Sequence, residues 1–137
     1  MNQLHAFAER LIPLPVDRVR AAVVDYSGVR ARLAAPDFAD YRATPGLVAV
    51  TFLGHRAELA VSTRGPATVV EADRHSSLAF TWTTDGADTL TSVRLTVARD
   101  GANGLRGLVQ RVASPPRLRL ALSGLLTAFA AELARQP

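Results

Sequence analysis

The chain has 137 residues, enough for one domain with a single core, and it is 48% apolar and 20% charged, the balance of a folded protein rather than a disordered or membrane one. It contains neither cysteine nor lysine, which excludes disulfides, thiolate nucleophiles, cysteine metal sites and a lysine Schiff base, and no cofactor or metal is expected. The net charge of +4 comes from arginines scattered from Arg10 to Arg135, mostly beside Asp or Glu, with no basic run and no interleaved aromatics, so nucleic acid is not the expected partner.

The opening "MNQLHAFAERLIPLP" lacks the basic start, long apolar run and cleavage site of a signal peptide. No apolar run approaches the roughly 18 to 20 residues that span a bilayer, so a single cytoplasmic domain over 1–137 is expected. Residues 4–12 read as a first strand, ended by Pro13 and Pro15. A helix follows, with Val16, Val19, Val23 and Tyr26 at helical spacing, and Ser27-Gly28 ends it or caps a second short one through Leu33. Residues 35–46, "APDFADYRATPG", with two prolines and a glycine, read as a loop.

From Leu47 the period becomes two. "VAVTF" and "HRAELAVSTRG" alternate around a turn at "LGHR"; "ATVVEAD" and "SLAFTWT" form the next hairpin. "DTLTSVRLTVARD" places Thr89, Thr91, Val93, Leu95 and Val97 on one face, and "LRGLVQRV" is read as the last strand, the seventh. A helix of about 20 residues follows Pro115-Pro116, with Leu118, Leu122, Leu125, Phe129 and Leu133 on one stripe and Gly124, marking a bend or close approach, in its middle. Each element needs a partner for its apolar side. The expected architecture is therefore α+β: a seven-stranded antiparallel sheet wrapped around the long C-terminal helix, with two short helices after the first strand.

The order of these elements resembles the START-like superfamily that includes polyketide cyclases/dehydrases. "LIPLPVDRV" is similar to its opening strand and lead into the first helix, "GPATVVEADRHSSLAFTW" to its central hairpin and "TSVRLTVARDGANGLRGLVQRV" to its last hairpin. The hairpin around "LAFTW" is closest to the subgroup of heat-shock ATPase activators. The resemblance implies a helix-grip fold enclosing a cavity for an apolar or amphipathic molecule. It implies no particular reaction, because the fold hosts many.

No catalytic motif of the serine-hydrolase, zincin, P-loop or dinucleotide type is present. Strand parity is the remaining filter. His55 shares a parity with Leu59 and Val61 and points into the interior at a strand end, or else is a turn histidine in solvent beside Gly54, the reading preferred here. Glu9 alternates with Phe7 and Leu11, and Arg111 with Leu105, Gly107 and Val109. If first and last strands are neighbours, Glu9 and Arg111 form a buried polar pair able to orient a ligand carbonyl or carboxylate; the alternative is solvated strand ends. Tyr26 offers a hydroxyl or a core ring. Leu59, Val61, Phe80, Trp82, Thr91 and Val93 face Leu122, Leu125 and Phe129 and are the expected ligand-lining residues. In "TVVEADRHSSLAFTWTT", Asp73, Arg74, His75 and Ser76 fall at a hairpin tip and Glu71 is assigned to the outer face.

The first functional expectation is a binder of a hydrophobic small molecule, with or without cyclase/dehydratase chemistry. The second is a regulatory or chaperone-cofactor module that binds protein, and a homodimer is compatible with both.

Overall fold

The computed structural model describes residues 3–100 and 114–136. The elements are β1 (Gln3–Ile12), α1 (Val16–Val23), a 3-10 turn (Arg30–Arg32), β2 (Phe38–Thr44), β3 (Leu47–Phe52), β4 (His55–Thr63), β5 (Thr68–Asp73), β6 (Ala79–Gly86), β7 (Thr91–Asp100) and α2 (Pro115–Ala134). The strands form one antiparallel sheet in the order β1-β7-β6-β5-β4-β3-β2. Every neighbour except β1·β7 is a hairpin partner, and that pair brings the chain's two distant halves together, from Gln3 opposite Asp100 to Ile12 opposite Thr91. This is the expected α+β architecture, with the two short helical pieces in place.

One expectation is corrected. The stretch 35–46 is not a loop: it carries β2, paired with β3. Its alternation is broken because Asp40 adopts a left-handed φ of 51° and the register shifts between Ala39 and Arg42, a bulge that hides the strand from a period-two reading. The turn back to β3 is Thr44-Pro45-Gly46-Leu47, in which Gly46 supplies the positive φ. The segment "LRGLVQRV", with Gly107 and Arg111, lies outside the described residues.

The β3–β4 turn is a two-residue loop with positive φ at both Leu53 and Gly54, whose twist matches that of the strands. The concave face carries Val48, Val50, Phe52, Ala57, Leu59, Phe80, Trp82, Val93, Leu95 and Val97, all buried. α2 covers this face, lying chiefly against β1, where Ala6 and the half-buried Ala8 leave room for it. Ser114 caps α2 by accepting from Arg117 N, and Pro115 and Pro116 occupy its first turn. Its stripe of Leu118, Leu122, Leu125, Leu126, Phe129 and Leu133 is fully buried. Ion pairs hold both ends: Arg117 forks onto Asp37 at 2.6 and 2.9 Å, and Glu132 accepts from Arg32 at 3.0 Å and from Arg135. The Arg117 hydrogen bonds hold the Asp37 carboxyl below its ordinary range. An added Cβ on Gly124 would meet nothing within 4 Å, so this glycine marks no close approach.

Candidate functional site: polar groups on the concave face

The concave face holds two arginines of opposite character. Arg30, in the 3-10 turn, is fully buried and projects onto the middle of the sheet. Its Nη2 lies 2.8 Å from Glu71 Oε2 and 3.0 Å from Oε1, its Nη1 donates to Val23 O at 2.8 Å, and Nε and Nη2 donate to Tyr41 Oη at 3.3 and 2.9 Å. The guanidinium also stacks over the rings of Trp82 at 4.3 Å and Tyr26 at 4.8 Å. Glu71 accepts further bonds from Tyr26 Oη at 2.6 Å and Trp82 Nε1 at 3.3 Å. Every polar atom here has a partner. Burial alone would lower the Arg30 pKa, but Glu71, Tyr41 and Tyr26 outweigh it and the net shift is upward. Burial and the adjacent Glu71 carboxylate push the Tyr26 hydroxyl up, so it stays protonated and donates.

This network overturns the outer-face assignment of Glu71. On β5 the inner set is Val69, Glu71 and Asp73, because Glu71 stands opposite the buried Phe80 and Val69 opposite the buried Trp82. Tyr26 turns its hydroxyl to the interior, where Glu71 takes it.

The second arginine is Arg99, which continues the inward stripe of Val93, Leu95 and Val97 on β7. It is 1% exposed, and its Nε, Nη1 and Nη2 have no hydrogen-bond partner among the described residues. Burial lowers its pKa to about 10, against the pull of Asp73. His55 lies at the same end of the face, opposite Phe52 in the β3–β4 register. Its Nε2 is buried without a hydrogen bond and stands 3.9 Å from Asp73 Oδ2. Burial and Arg99 lower the His55 pKa, outweighing Asp73. Asp73 makes no hydrogen bond to Arg99; its oxygens are engaged by Ser76 Oγ at 2.6 Å, Glu58 N at 3.2 Å and His75 N at 3.4 Å. Those bonds outweigh the cost of burial and lower the Asp73 pKa. Asp73 and Ser76 thus do turn work, as their hairpin position suggests, while the Asp73 carboxylate also faces His55.

Between these groups stands an aromatic wall. The ring centroids of Phe38, Phe52 and Phe80 are 4.8, 5.0 and 5.7 Å apart, and Phe80 pairs with Val97, two residues before Arg99. Further along, Trp82 packs on Phe129 at 5.3 Å, so side chains fill the middle of the face. Leu59, Val93, Leu122 and Leu125 are buried here and Val61, on β4 opposite Glu71, is half-buried. Thr91 is buried too, but its hydroxyl donates to Leu14 O at 2.8 Å and is not left for a ligand.

Of the expected Glu9–Arg111 pair, Arg111 lies outside the described residues and only Glu9 is placed. Glu9 lies on the convex face, where it bridges to Arg94 at 2.9 Å with both side chains nearly half exposed, and Arg94 stacks over Phe7 at 4.4 Å. The inner residues of β1 are of the other parity, Ala6, Ala8 and Ile12, with the alanines where α2 lies across the strand. A cleft of about 350 Å³ opens at the opposite end of the sheet from Arg99, where Ile12, Leu14 and Arg18 meet Leu133 and Gln136. Among the described residues no group of three or more His, Asp or Glu could hold a metal, and no helix is long and apolar enough to cross a membrane.

No family model and no curated protein matches the chain. Solved structures do. The KanY protein superposes with a TM-score of 0.80 at 26% identity, over 98% of this chain and 99% of that one. A protein from Nitrosomonas europaea gives 0.66 at 10% identity, over 96% of this chain and 95% of that one. The Aha1 dimer from Colwellia psychrerythraea gives 0.57 at 12% identity, over 99% and 100%. The fold is of the helix-grip type. The latter two likenesses, at such low identity, speak for the fold alone.

Proposed function

We propose that this chain binds an amphipathic small molecule on the concave face, with its apolar part against Phe38, Phe52 and Phe80 and its polar end toward Arg99 and His55. The observation that carries this reading is the buried guanidinium whose three nitrogens have no hydrogen-bond partner among the described residues, beside an aromatic wall. Leaving such donors unsatisfied costs about 1–3 kcal/mol, a cost that folded proteins rarely retain without a use. The helix-grip fold supports the reading, since it sets a long helix across a concave, apolar sheet face, the kind of surface on which small-molecule sites are built. Membership of the START-like superfamily and its heat-shock-activator subgroup belongs to this proposal, as does polyketide cyclase/dehydratase chemistry, in which Arg99 and His55 would polarise a substrate carbonyl.

Trp82 is the single tryptophan and lies on this face, so its fluorescence reports occupancy directly. Titration of isotopically labelled protein with a panel of aryl and alkyl amphiphiles should shift the amides of Phe52, His55, Phe80 and Arg99. A panel that leaves these signals unmoved, or moves only convex-face residues, would overturn the reading.

A further inference from the structure

The geometry points to a carboxylate as the polar end of that ligand, received by the Arg99 fork with His55 Nε2 as a second donor. This rests on the binding reading above and adds the chemistry of the head group. A guanidinium presents parallel N–H donors in a plane, and the small groups that satisfy two of them at once are carboxylate and phosphate. Local charge decides between them. Arg99 contributes one positive charge and Asp73 one negative charge, and His55 is held toward its neutral form by burial and by Arg99, so this end of the face sums to about zero. A carboxylate adds one negative charge to that balance, whereas a phosphate dianion adds two and faces the Asp73 carboxylate without a second cation. Asp73 cannot take the role itself, being held by Ser76, Glu58 N and His75 N. The neighbours of the fork set the rest of the molecule: Leu78, Phe80 and Val97 are buried and purely apolar, which suits an aryl or alkyl chain and excludes a polar one. Since Arg99 is covered, entry of the ligand requires this end of the face to open.

The test compares 3-phenylpropionate with 3-phenylpropanamide, which share the ring and chain and differ in the head, on wild type, Arg99→Met and Arg99→Lys at pH 7.5. Affinities come from Trp82 fluorescence and amide shifts. Acid bound at least about tenfold tighter than amide by wild type, a preference abolished in Arg99→Met and partly kept in Arg99→Lys, is the expected result. Melting temperatures serve as the folding control: Arg99→Met is expected to melt higher than wild type in the absence of ligand. Acid and amide bound equally, acid binding unchanged in Arg99→Met, or shifts confined to the Ile12–Leu133 cleft would each overturn the carboxylate assignment while leaving a small-molecule binder. If neither compound nor the wider neutral panel binds, the binding reading itself fails.

Discussion

Removing Glu71 should expose what the Arg30 network is worth. In Glu71→Leu the Arg30 guanidinium keeps its bonds to Val23 O and Tyr41 but loses its counter-charge, and Tyr26 Oη and Trp82 Nε1 lose their acceptor. Both partners of the pair are almost wholly buried, with side-chain exposures of 0% and 3%, so water cannot make good the loss. Breaking one half of such a pair costs about 3–5 kcal/mol. With an unfolding entropy of about 2.1 cal/mol/K per residue and 137 residues, that lowers the melting temperature by about 10–17 °C. Arg30→Met should cost a comparable amount, and the double variant Arg30→Met/Glu71→Leu less than the sum of the two, since well-packed apolar replacements of a buried pair are often neutral. Urea and thermal unfolding followed by circular dichroism measure all three. A Glu71→Leu loss below about 1 kcal/mol, or a double variant as unstable as the sum, would refute the account of a mutually dependent buried pair.

Further outcomes follow from the same geometry. Gly124→Ala should gain about 0.5–1 kcal/mol, because the helix interior there has empty space for a methyl group, and Gly86→Ala should destabilise, because its Cβ would stand 2.4 Å from Leu90 O and 2.7 Å from Thr91 Cα; thermal melts check both signs. His55 has a folded pKa below its ordinary 6.5, so between the two values the unfolded chain holds a proton that the folded chain refuses, and stability is full above 6.5 and falls as the pH drops below it. Asp37 and Asp73, lowered from 3.8, add stability present above that value and lost as the pH falls through their folded values. A urea series from pH 8 to 3 should therefore show a shallow upper step, absent in His55→Gln, and a steeper lower one; a flat wild-type profile between pH 7 and 5 would count against the buried Nε2 of His55. Asp37→Asn should loosen the start of α2, seen as faster amide exchange at Leu118, and unchanged exchange there would count against the clamp.

What was legible in the sequence was periodicity wherever burial and polarity agree. β3, β4, β6 and β7 alternate cleanly, and α2 carries an unbroken stripe from Leu118 to Leu133. Where burial and polarity part company, parity misleads. On β5 the inner set is Val69, Glu71 and Asp73, while the outer set of Thr68, Val70 and Ala72 is the less polar of the two, so the pattern reads inside out. β1 inverts for a different reason: α2 approaches so closely that alanines face inward and the larger Phe7 and Leu11 face out. Arg30 lies in a 3-10 turn with no period to place it. The signal for Arg99 was present, since the Val93, Leu95, Val97 stripe runs on to it without a break.

Arg30 and Arg99 make the strongest internal comparison that this molecule offers. They are the same residue type, on the same concave face and almost equally buried, and they differ in their partners. Arg30 is neutralised by Glu71 and bonded through all three nitrogens, whereas Asp73, the acid that acts on Arg99, is tied to a turn. If both were structural, replacing either with methionine would lower stability, since each would leave a gap in a packed interior. If Arg99 is held ready for a ligand, its removal relieves an unpaired buried charge and the free protein becomes more stable, while Arg30→Met becomes less so. Opposite signs for the two substitutions are the expected outcome, and equal signs would return Arg99 to the structural core.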